Sequence, residues 1–325
     1  MPSQNVLDVT GLSVEFPTPL GTVHAVSDVS FSIGRGQVLG LVGESGSGKS
    51  TVAHAIIRVL PGSARYSGSV RCGDQEVLAL GPSALRSFRW QRVSLVMQGA
   101  MNALNPVMTI ESQVIDVIRA HSKVSRRAAA AQVPDLLELV GIDPARRRSY
   151  PHELSGGMRQ RCVIAIALAL QPELVVMDEP TTALDVVVQR AIMDEIDRLR
   201  EQLGFSVLLI SHDLDLVAER ASQLAIMYAG RIVEIGSSAE VTGSPQHPYT
   251  EALLTSAMSV DGDVHRLAEL GGRPPDLIGA APGCSFFPRC AKAEAWHKTQ
   301  TPQLRDVVPG HAVACHLYPA LEPAR

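Results

Sequence analysis

Long apolar runs are missing from this sequence, since none reaches the roughly 18–20 residues that a membrane-spanning helix requires. The first ten residues also lack the basic start and apolar core of a secretory signal peptide. Charge of one sign is not in excess either. The net charge is −4 over 325 residues, which gives the molecule as a whole no electrostatic reason to bind nucleic acid or anionic lipid. We therefore expect a cytosolic protein of about two domains that binds no nucleic acid.

Aromatic residues and cysteines are scarce, at 4% and five residues, whereas the hydrophobic content of 46% is that of a soluble protein with a good core. Disulfides are not expected in a cytosolic protein. Cys72 and Cys162 stand alone in apolar segments and are interpreted as small core residues. The other three cysteines crowd into the last quarter of the chain, at Cys284, Cys290 and Cys315. That group needs its own explanation.

A glycine-rich segment at residues 43–51 fits the pattern G-x-x-x-x-G-K-[ST]. It follows the apolar run 38–42, interpreted as a buried strand, and it precedes the apolar segment 51–60, interpreted as a helix. Strand, glycine loop and helix are the context in which this pattern binds phosphate. The alternative is a glycine-rich turn that binds nothing.

The chemistry of this loop follows from its residue types. Glycines allow successive backbone N–H groups to turn towards phosphate oxygens, and the helix N terminus adds its positive dipole end. Lys49 is suited to reach the β- and γ-phosphates, and the Ser50 hydroxyl is suited to bind Mg²⁺. The predicted phosphate-binding residues are Gly43, Ser45, Gly46, Gly48, Lys49, Ser50 and Thr51.

Two consecutive acids end a second apolar run, residues 174–177. A buried strand that runs into carboxylates delivers them to the edge of the sheet where ligands bind in α/β proteins. Asp178 is suited to hold Mg²⁺, and Glu179 is suited to activate an attacking water as a general base. A solvated acidic strand end is the alternative.

Three further side chains lie at predicted strand ends. Gln98 follows a short strand and is suited to contact Mg²⁺ or to position a water. His212 follows the strand 206–210 and could bond a γ-phosphate, although a lone histidine is usually structural. Phe16 ends an N-terminal strand and is either a core aromatic or a stacking platform for an adenine ring.

A second small-residue helix start occurs at Ser155-Gly156-Gly157, ahead of the apolar helix 162–170. Such a start can receive phosphate oxygens, although Ser before a helix is most often only an N-cap. Helical patterns fill residues 99–160, and elsewhere buried strands alternate with helices. This alternation predicts an α/β fold with a mainly parallel sheet and helices on both faces.

These motifs occur in the order found in the ATP-binding subunits of ABC transporters, which the chain resembles over roughly residues 5–245. The short signature at residues 154–157 is the most specific match, because ordinary P-loop kinases and GTPases lack it. The resemblance implies a P-loop NTPase (ABC ATPase) core with a mixed, mainly parallel sheet, and ATP and Mg²⁺ as ligands. It also implies Gln98 as the Q-loop residue at the Mg²⁺, a D-loop at residues 183–185 that includes Asp185, and Phe16 on the adenine.

In this family two ATP-binding domains meet head to tail, and each ATP lies between one phosphate loop and the other domain's signature. The resemblance thus implies that Ser155, Gly156 and Gly157 serve a nucleotide bound by a second ATP-binding subunit. It also implies three regions. These are an ATPase core at 1–97 and 161–245, a helical signature subdomain at 98–160, and a C-terminal extension at 246–325.

A narrower resemblance points to the dipeptide/oligopeptide permease branch. It rests on residues 98–106, on the extended signature 154–161, on His-Pro-Tyr-Thr at 247–250 and on the cysteine-containing tail. It implies an importer subunit at the cytoplasmic face of the cell membrane. The implied partners are two membrane permease subunits, a second ATPase copy or homologue, and an extracytoplasmic solute-binding protein. Oligosaccharides and nickel complexes are alternative solutes, and Gly99 departs from the acidic residue common in the branch.

The tail of that branch often carries four cysteines that hold a [4Fe–4S] cluster. Cys284, Cys290 and Cys315 match three of them, and His297 stands at the fourth position. Three thiolates and one imidazole also suit Zn²⁺, whereas Fe–S clusters usually take four cysteines. The open alternatives are an iron–sulfur cluster, zinc, or three cysteines that pack without metal.

A function of another class is an ABC ATPase without a transporter, acting in DNA repair or translation. Such proteins carry long coiled-coil insertions or two ATPase domains, and this sequence shows neither pattern. A redox-sensing role of the tail is a further hypothesis, and it would accompany transport rather than replace it.

Overall fold

The computed structural model describes residues 5–99, 102–182, 185–258, 273–279 and 282–318. The strands are β1 Asn5–Thr18, β2 Gly21–Gly34, β3 Val38–Val42, β4 Arg65–Cys72, β5 Gln75–Glu76, β6 Val93–Val96, β7 Leu174–Asp178, β8 Ser206–Ser211, β9 Gln223–Tyr228, β10 Arg231–Ser237, β11 Arg305–Val308 and β12 His311–Val313.

The α-helices are α1 Lys49–Ile56, α2 Pro82–Gln91, α3 Ile110–His121, α4 Arg126–Leu139, α5 Gly156–Leu168, α6 Val186–Leu203, α7 Leu214–Ala218, α8 Ser238–Gly243 and α9 Pro248–Met258. Among the described residues, none of these helices has both the length and the apolar character that crossing a bilayer demands.

The chain divides into two compact units. The first takes in Met1–Leu7, Ile33–Gln37 and Arg71–Leu208, and the second takes in Asp8–Ser32, Val38–Val70 and Leu209–Arg325. This division differs from the three regions expected from the sequence, whose boundaries stay a prediction. The chain passes from the first unit into the second within β8.

The first unit contains a parallel pair of strands covered by helices. β6 pairs with β7 so that Val96 lies opposite Met177. Helices α3, α4 and α5 contact one another, and α3 and α4 each contribute a regular apolar face. In α3 that face is Ile110, Val114 and Ile118, and in α4 it is Ala129, Val133 and Leu137. Spacings of four residues place these side chains on one side of each helix, which explains their burial.

The second unit contains the glycine-rich loop and most of a mixed sheet. Its strands run in the order β11-β12-β10-β9-β3. β3 and β9 pair in parallel, whereas β9, β10, β12 and β11 pair antiparallel in turn. Strands β9 and β10 form a hairpin. Extension of the same sheet by the C-terminal strands β11 and β12 was not predicted from the sequence.

One sequence-based expectation differs from the structure. Helix α1 covers Lys49–Ile56 rather than 51–60, because Arg58 takes a left-handed conformation (φ 54°) that ends the helix before Pro61. Two other features were not predicted. Only residues 19 and 20 separate the long strands β1 and β2, and helix α2 begins with Pro82 at its first position.

Candidate nucleotide-binding site

The glycine-rich loop lies between β3, which is buried along its length, and α1. A Cβ atom at Gly43 would collide with the Met227 carbonyl, and one at Gly48 would collide with the Ala25 carbonyl. Gly48 also has a φ of 103°, which side-chain-bearing residues rarely adopt. At Gly46 (φ 79°), by contrast, a Cβ would meet no heavy atom of the described residues within 4 Å. The loop is therefore closely packed at Gly43 and Gly48 and open at Gly46.

Lys49 is folded into the loop and is only 5% exposed. Its Nζ donates to the carbonyl oxygens of Gly43 (2.7 Å) and Glu44 (2.8 Å), and it lies 3.4 Å from the Ser47 hydroxyl. Among the described residues no side chain caps the N terminus of α1. The N–H groups at the start of a helix are those that anions bind, so the uncapped start of α1 suits a phosphate. Ser45 is exposed, and Ser50 and Thr51 are half-buried.

Gln98 and Glu179 meet in the first unit. Because β6 and β7 are parallel and in register, their carboxyl ends lie at the same edge of the sheet. Gln98 follows β6 by two residues, Glu179 follows β7 directly, and the Gln98 Nε2 donates to Glu179 Oε2 over 2.6 Å. The Thr182 hydroxyl lies 3.1 Å from the same carboxylate oxygen. The structure thus brings together two residues that were predicted separately to act on a water.

Asp178 is the last residue of β7 and is 2% exposed. Its backbone is extended, but the next residue, Glu179, has a φ of 48°. This left-handed turn is uncommon for a residue with a side chain and costs energy. It separates the two acids, so that Asp178 stays buried while Glu179 is half-buried beside Gln98.

The signature residues form the start of α5. Ser155 is the N-cap, and its hydroxyl accepts a hydrogen bond from the Met158 N–H over 3.3 Å. Gly156 and Gly157 make up the beginning of the first turn, and a Cβ at Gly157 would press on Val188 at 3.1 Å. The N-cap interaction, which was the alternative to a phosphate-binding role, is thus present. Ser155 is also exposed.

The remaining predicted residues are placed individually. Asp185 is the N-cap of α6, with its Oδ1 accepting from the Val188 N–H at 2.9 Å. His212 follows β8 and is exposed, and Phe16 is half-buried near the end of β1. Residues 100–101 of the Q-loop and 183–184 of the D-loop lie outside the described residues.

The four predicted metal ligands line one small cavity in the second unit, together with His316 and Phe286. They are Cys284, Cys290, His297 and Cys315. Burial raises the pKa of the Cys284 and Cys315 thiols, which favours the neutral thiol over the thiolate that binds metal. Within the part of the chain that the structure describes, no three His, Cys, Asp or Glu side chains form a group that could hold a metal ion. The described side chains therefore line a common cavity but do not form the predicted metal centre.

Family models match two parts of the chain. One described as "ABC transporter" matches residues 26–182, and one described as "Oligopeptide/dipeptide transporter, C-terminal region" matches residues 233–295. The dipeptide transport ATP-binding protein DppD of Bacillus subtilis is 42% identical over 88% of this chain and 87% of its own length. The chain belongs to the ABC transporter ATP-binding family.

Other relatives extend this similarity. The oligopeptide transport ATP-binding protein OppD of Escherichia coli is 39% identical over 95% of this chain and 92% of its own length. The OppD of Mycobacterium bovis is 45% identical over 95% of this chain, but the match covers 51% of that protein. The chain thus spans about half the length of that mycobacterial relative.

Solved structures agree on the fold. CbiO1 of Clostridium perfringens, part of the ABC transporter complex CbiONQ, has a TM-score of 0.64 at 25% identity, over 74% of this chain and 92% of that chain. A dimeric bacterial ABC transporter cassette has a TM-score of 0.62 at 23% identity, over 71% of this chain and 98% of that chain. The α/β P-loop NTPase fold predicted from the sequence is confirmed.

Proposed function

We propose that this chain is the ATP-hydrolysing subunit of an ABC importer for dipeptides or oligopeptides. The hydrogen bond between Gln98 and Glu179 carries the catalytic part of the proposal, since it holds a carboxylate at a strand end where a water can be activated. The peptide part rests on the match of residues 233–295 to a peptide-transporter C-terminal region and on relatives named for peptide transport.

Most of the predicted nucleotide-site residues have a role in this proposal. The loop amides and Lys49 would bind the phosphates, and Ser50, Gln98 and Asp178 are the proposed ligands of Mg²⁺. Glu179 takes a proton from the attacking water, His212 senses the γ-phosphate, and Phe16 stacks on the adenine. Ser155, Gly156 and Gly157 serve the nucleotide of a second ATP-binding subunit. Mg²⁺ would neutralise phosphate charge. The chain's own side chains would bind the nucleotide, orient the attacking water and remove its proton.

Glu179→Gln tests the catalytic role. A glutamine oxygen can still accept the Gln98 hydrogen bond, so the variant keeps the local geometry and loses only the basic carboxylate. We expect ATP affinity to stay near that of the wild type and hydrolysis to fall by about 100-fold or more. Glu201→Gln, at a side chain that is 73% exposed, is the matched control and should hydrolyse ATP normally. Near-normal turnover in Glu179→Gln would refute the role.

The proposed partners are two membrane permease subunits, a second ATP-binding subunit and a solute-binding protein outside the membrane. The proposed location is therefore the cytoplasmic face of the membrane. Purification of the tagged chain from native membranes in mild detergent should recover these partners. Recovery of the chain with no membrane subunit would favour an ABC ATPase that does not serve a transporter.

An iron–sulfur or zinc centre in the C-terminal region is a separate proposal. Its support is that Cys284, Cys290, His297 and Cys315 line one cavity, in a segment whose resemblance implies a cluster. Iron and zinc analysis of protein purified without oxygen decides it. About one zinc or four iron atoms per chain would establish the centre, and less than a tenth of an atom of either would remove it.

A further inference from the structure

The C-terminal region reaches the phosphate loop through Arg289. Its Nη1 lies 2.9 Å from Glu44 Oε2, and its Nη2 lies 3.0 Å from Glu44 Oε1. The Arg289 side chain is 4% exposed and that of Glu44 is 24% exposed. Two parallel charge-assisted bonds fix direction as well as distance. Glu44, the second residue of the loop, is therefore held in one orientation by a residue 245 positions away in the chain.

Tyr249 holds the same loop residue at its backbone. Its hydroxyl accepts a hydrogen bond from the Glu44 N–H over 2.9 Å, and its side chain is fully buried. The Glu44 carbonyl in turn accepts from Lys49 Nζ at 2.8 Å and from the Ser47 N–H at 3.2 Å. The side chain, amide and carbonyl of Glu44 thus form a continuous path from the C-terminal region to the lysine of the loop.

A packed aromatic cluster supports Arg289. Its guanidinium carbon lies 5.7 Å from the centre of the Tyr228 ring and 5.9 Å from that of Phe286. The Tyr228, Tyr249 and Phe286 rings contact one another with centres 4.7–5.5 Å apart. These three aromatic residues are at most 3% exposed. The paired bonds to the Glu44 carboxylate and the contacts with the aromatic rings both favour a guanidinium over an ammonium.

We propose that Arg289 and Tyr249 are positioning residues for the phosphate loop, and that they couple the C-terminal region to nucleotide affinity. The proposal rests on the proposed function, because it assumes that the loop binds ATP. Neither residue touches the nucleotide in this scheme. Both act through Glu44, whose conformation sets the two carbonyls that hold Lys49.

The test is a double-mutant cycle on the full-length chain. Dissociation constants for ATP are measured for the wild type, Arg289→Met, Glu44→Gln and the double variant. If the loop is held in its binding-competent form by this pair, Arg289→Met should weaken ATP binding about ten-fold. The double variant should bind ATP no more weakly than the weaker-binding single variant. Each single change already removes the Arg289–Glu44 interaction, so the second change has nothing further to remove.

Two further variants make the result specific. Lys292→Met removes a cation from the same segment, but one whose ion pair with Glu251 is exposed, so its ATP affinity should equal that of the wild type. Tyr249→Phe keeps the ring and removes only the acceptor for the Glu44 N–H, and it should weaken binding several-fold. Arg289→Lys keeps the charge without the two-pronged geometry and should restore only part of the affinity.

The outcomes distinguish failure of the positioning role of Arg289 and Tyr249 from failure of the proposed function. Wild-type affinity in folded Arg289→Met and folded Tyr249→Phe, with a lower melting temperature as the sole change, would show that these residues only stabilise the fold and would overturn the proposal. If Arg289→Met fails to fold, Tyr249→Phe and Arg289→Lys decide alone. A wild-type chain that binds no ATP would instead refute the proposed function.

Discussion

Glu179, which is proposed to activate the attacking water, has an unusual backbone conformation. Its φ of 48° turns the chain away from the strand direction directly after the buried Asp178. Such conformations persist only where neighbouring groups hold them, and they are often found at active sites. Here Thr182 supports the turn, because both its N–H (3.3 Å) and its hydroxyl (3.1 Å) donate to the Glu179 carbonyl. The sequence indicated this residue as a candidate general base, which stays a prediction, and it did not indicate the backbone conformation.

His247 gives the chain a predicted acid sensitivity. Burial lowers the pKa of its imidazole to about 3 from the ordinary 6.5, and its Nδ1 accepts a hydrogen bond from the Tyr249 N–H. Between those two pH values the unfolded chain binds a proton that the folded chain does not. The His247 contribution to stability is therefore complete above pH 6.5 and is lost as the pH falls below it.

His247→Asn tests this sensitivity, because an asparagine oxygen can replace the Nδ1 acceptor without titrating. From pH 7.5 to pH 5, the free energy of unfolding of the wild type should fall by about 2 kcal/mol more than that of the variant. Urea unfolding at the two pH values measures the difference. His152→Asn, at an exposed position, should behave as the wild type. Parallel pH profiles for wild type and His247→Asn would contradict the assignment.

At the scale of elements, the start of α5 has two roles to separate. Ser155 caps the helix through the Met158 N–H, and it is also proposed to face a nucleotide on a second subunit. Ser155→Asp keeps a good N-cap acceptor but adds a negative charge where phosphates would approach. We expect its free energy of unfolding to stay within about 0.5 kcal/mol of the wild type, while ATP hydrolysis by the assembled transporter is lost.

Ser155→Ala completes that comparison. It removes the cap and should cost about 1 kcal/mol of unfolding free energy, but it adds no charge and should hydrolyse ATP better than Ser155→Asp. Normal hydrolysis by Ser155→Asp would show that the residue is only a cap.

The elements that the sequence did not predict share a physical cause. Helix α2 buries a single residue, Phe88, so its sequence shows no apolar periodicity. Pro82 at its first position was the one available indication of a helix. Strands β11 and β12 are four and three residues long, too short for a pattern. By contrast, β3, β7 and β8 are buried along their whole length, and their unbroken apolar runs were enough to place the residues that follow them.

At the scale of the whole chain, the C-terminal region is more closely joined to the rest of the second unit than its composition suggested. β12 pairs with β10, and the His311 Nε2 lies 2.8 Å from the fully buried Glu234 carboxylate. The same carboxylate accepts the N–H groups of Gln246 and His247. These contacts span 12–77 positions. Sequence periodicity reports only on local structure, which is why it could not predict them.

One measurement tests the central proposal most directly, namely uptake of a labelled tripeptide by cells of the source organism that lack this chain. The account predicts that the wild-type chain restores uptake and that Glu179→Gln, present in equal amount, does not. Uptake that is unaffected by loss of the chain, or that Glu179→Gln restores fully, would contradict the proposal that ATP hydrolysis by this chain drives peptide import.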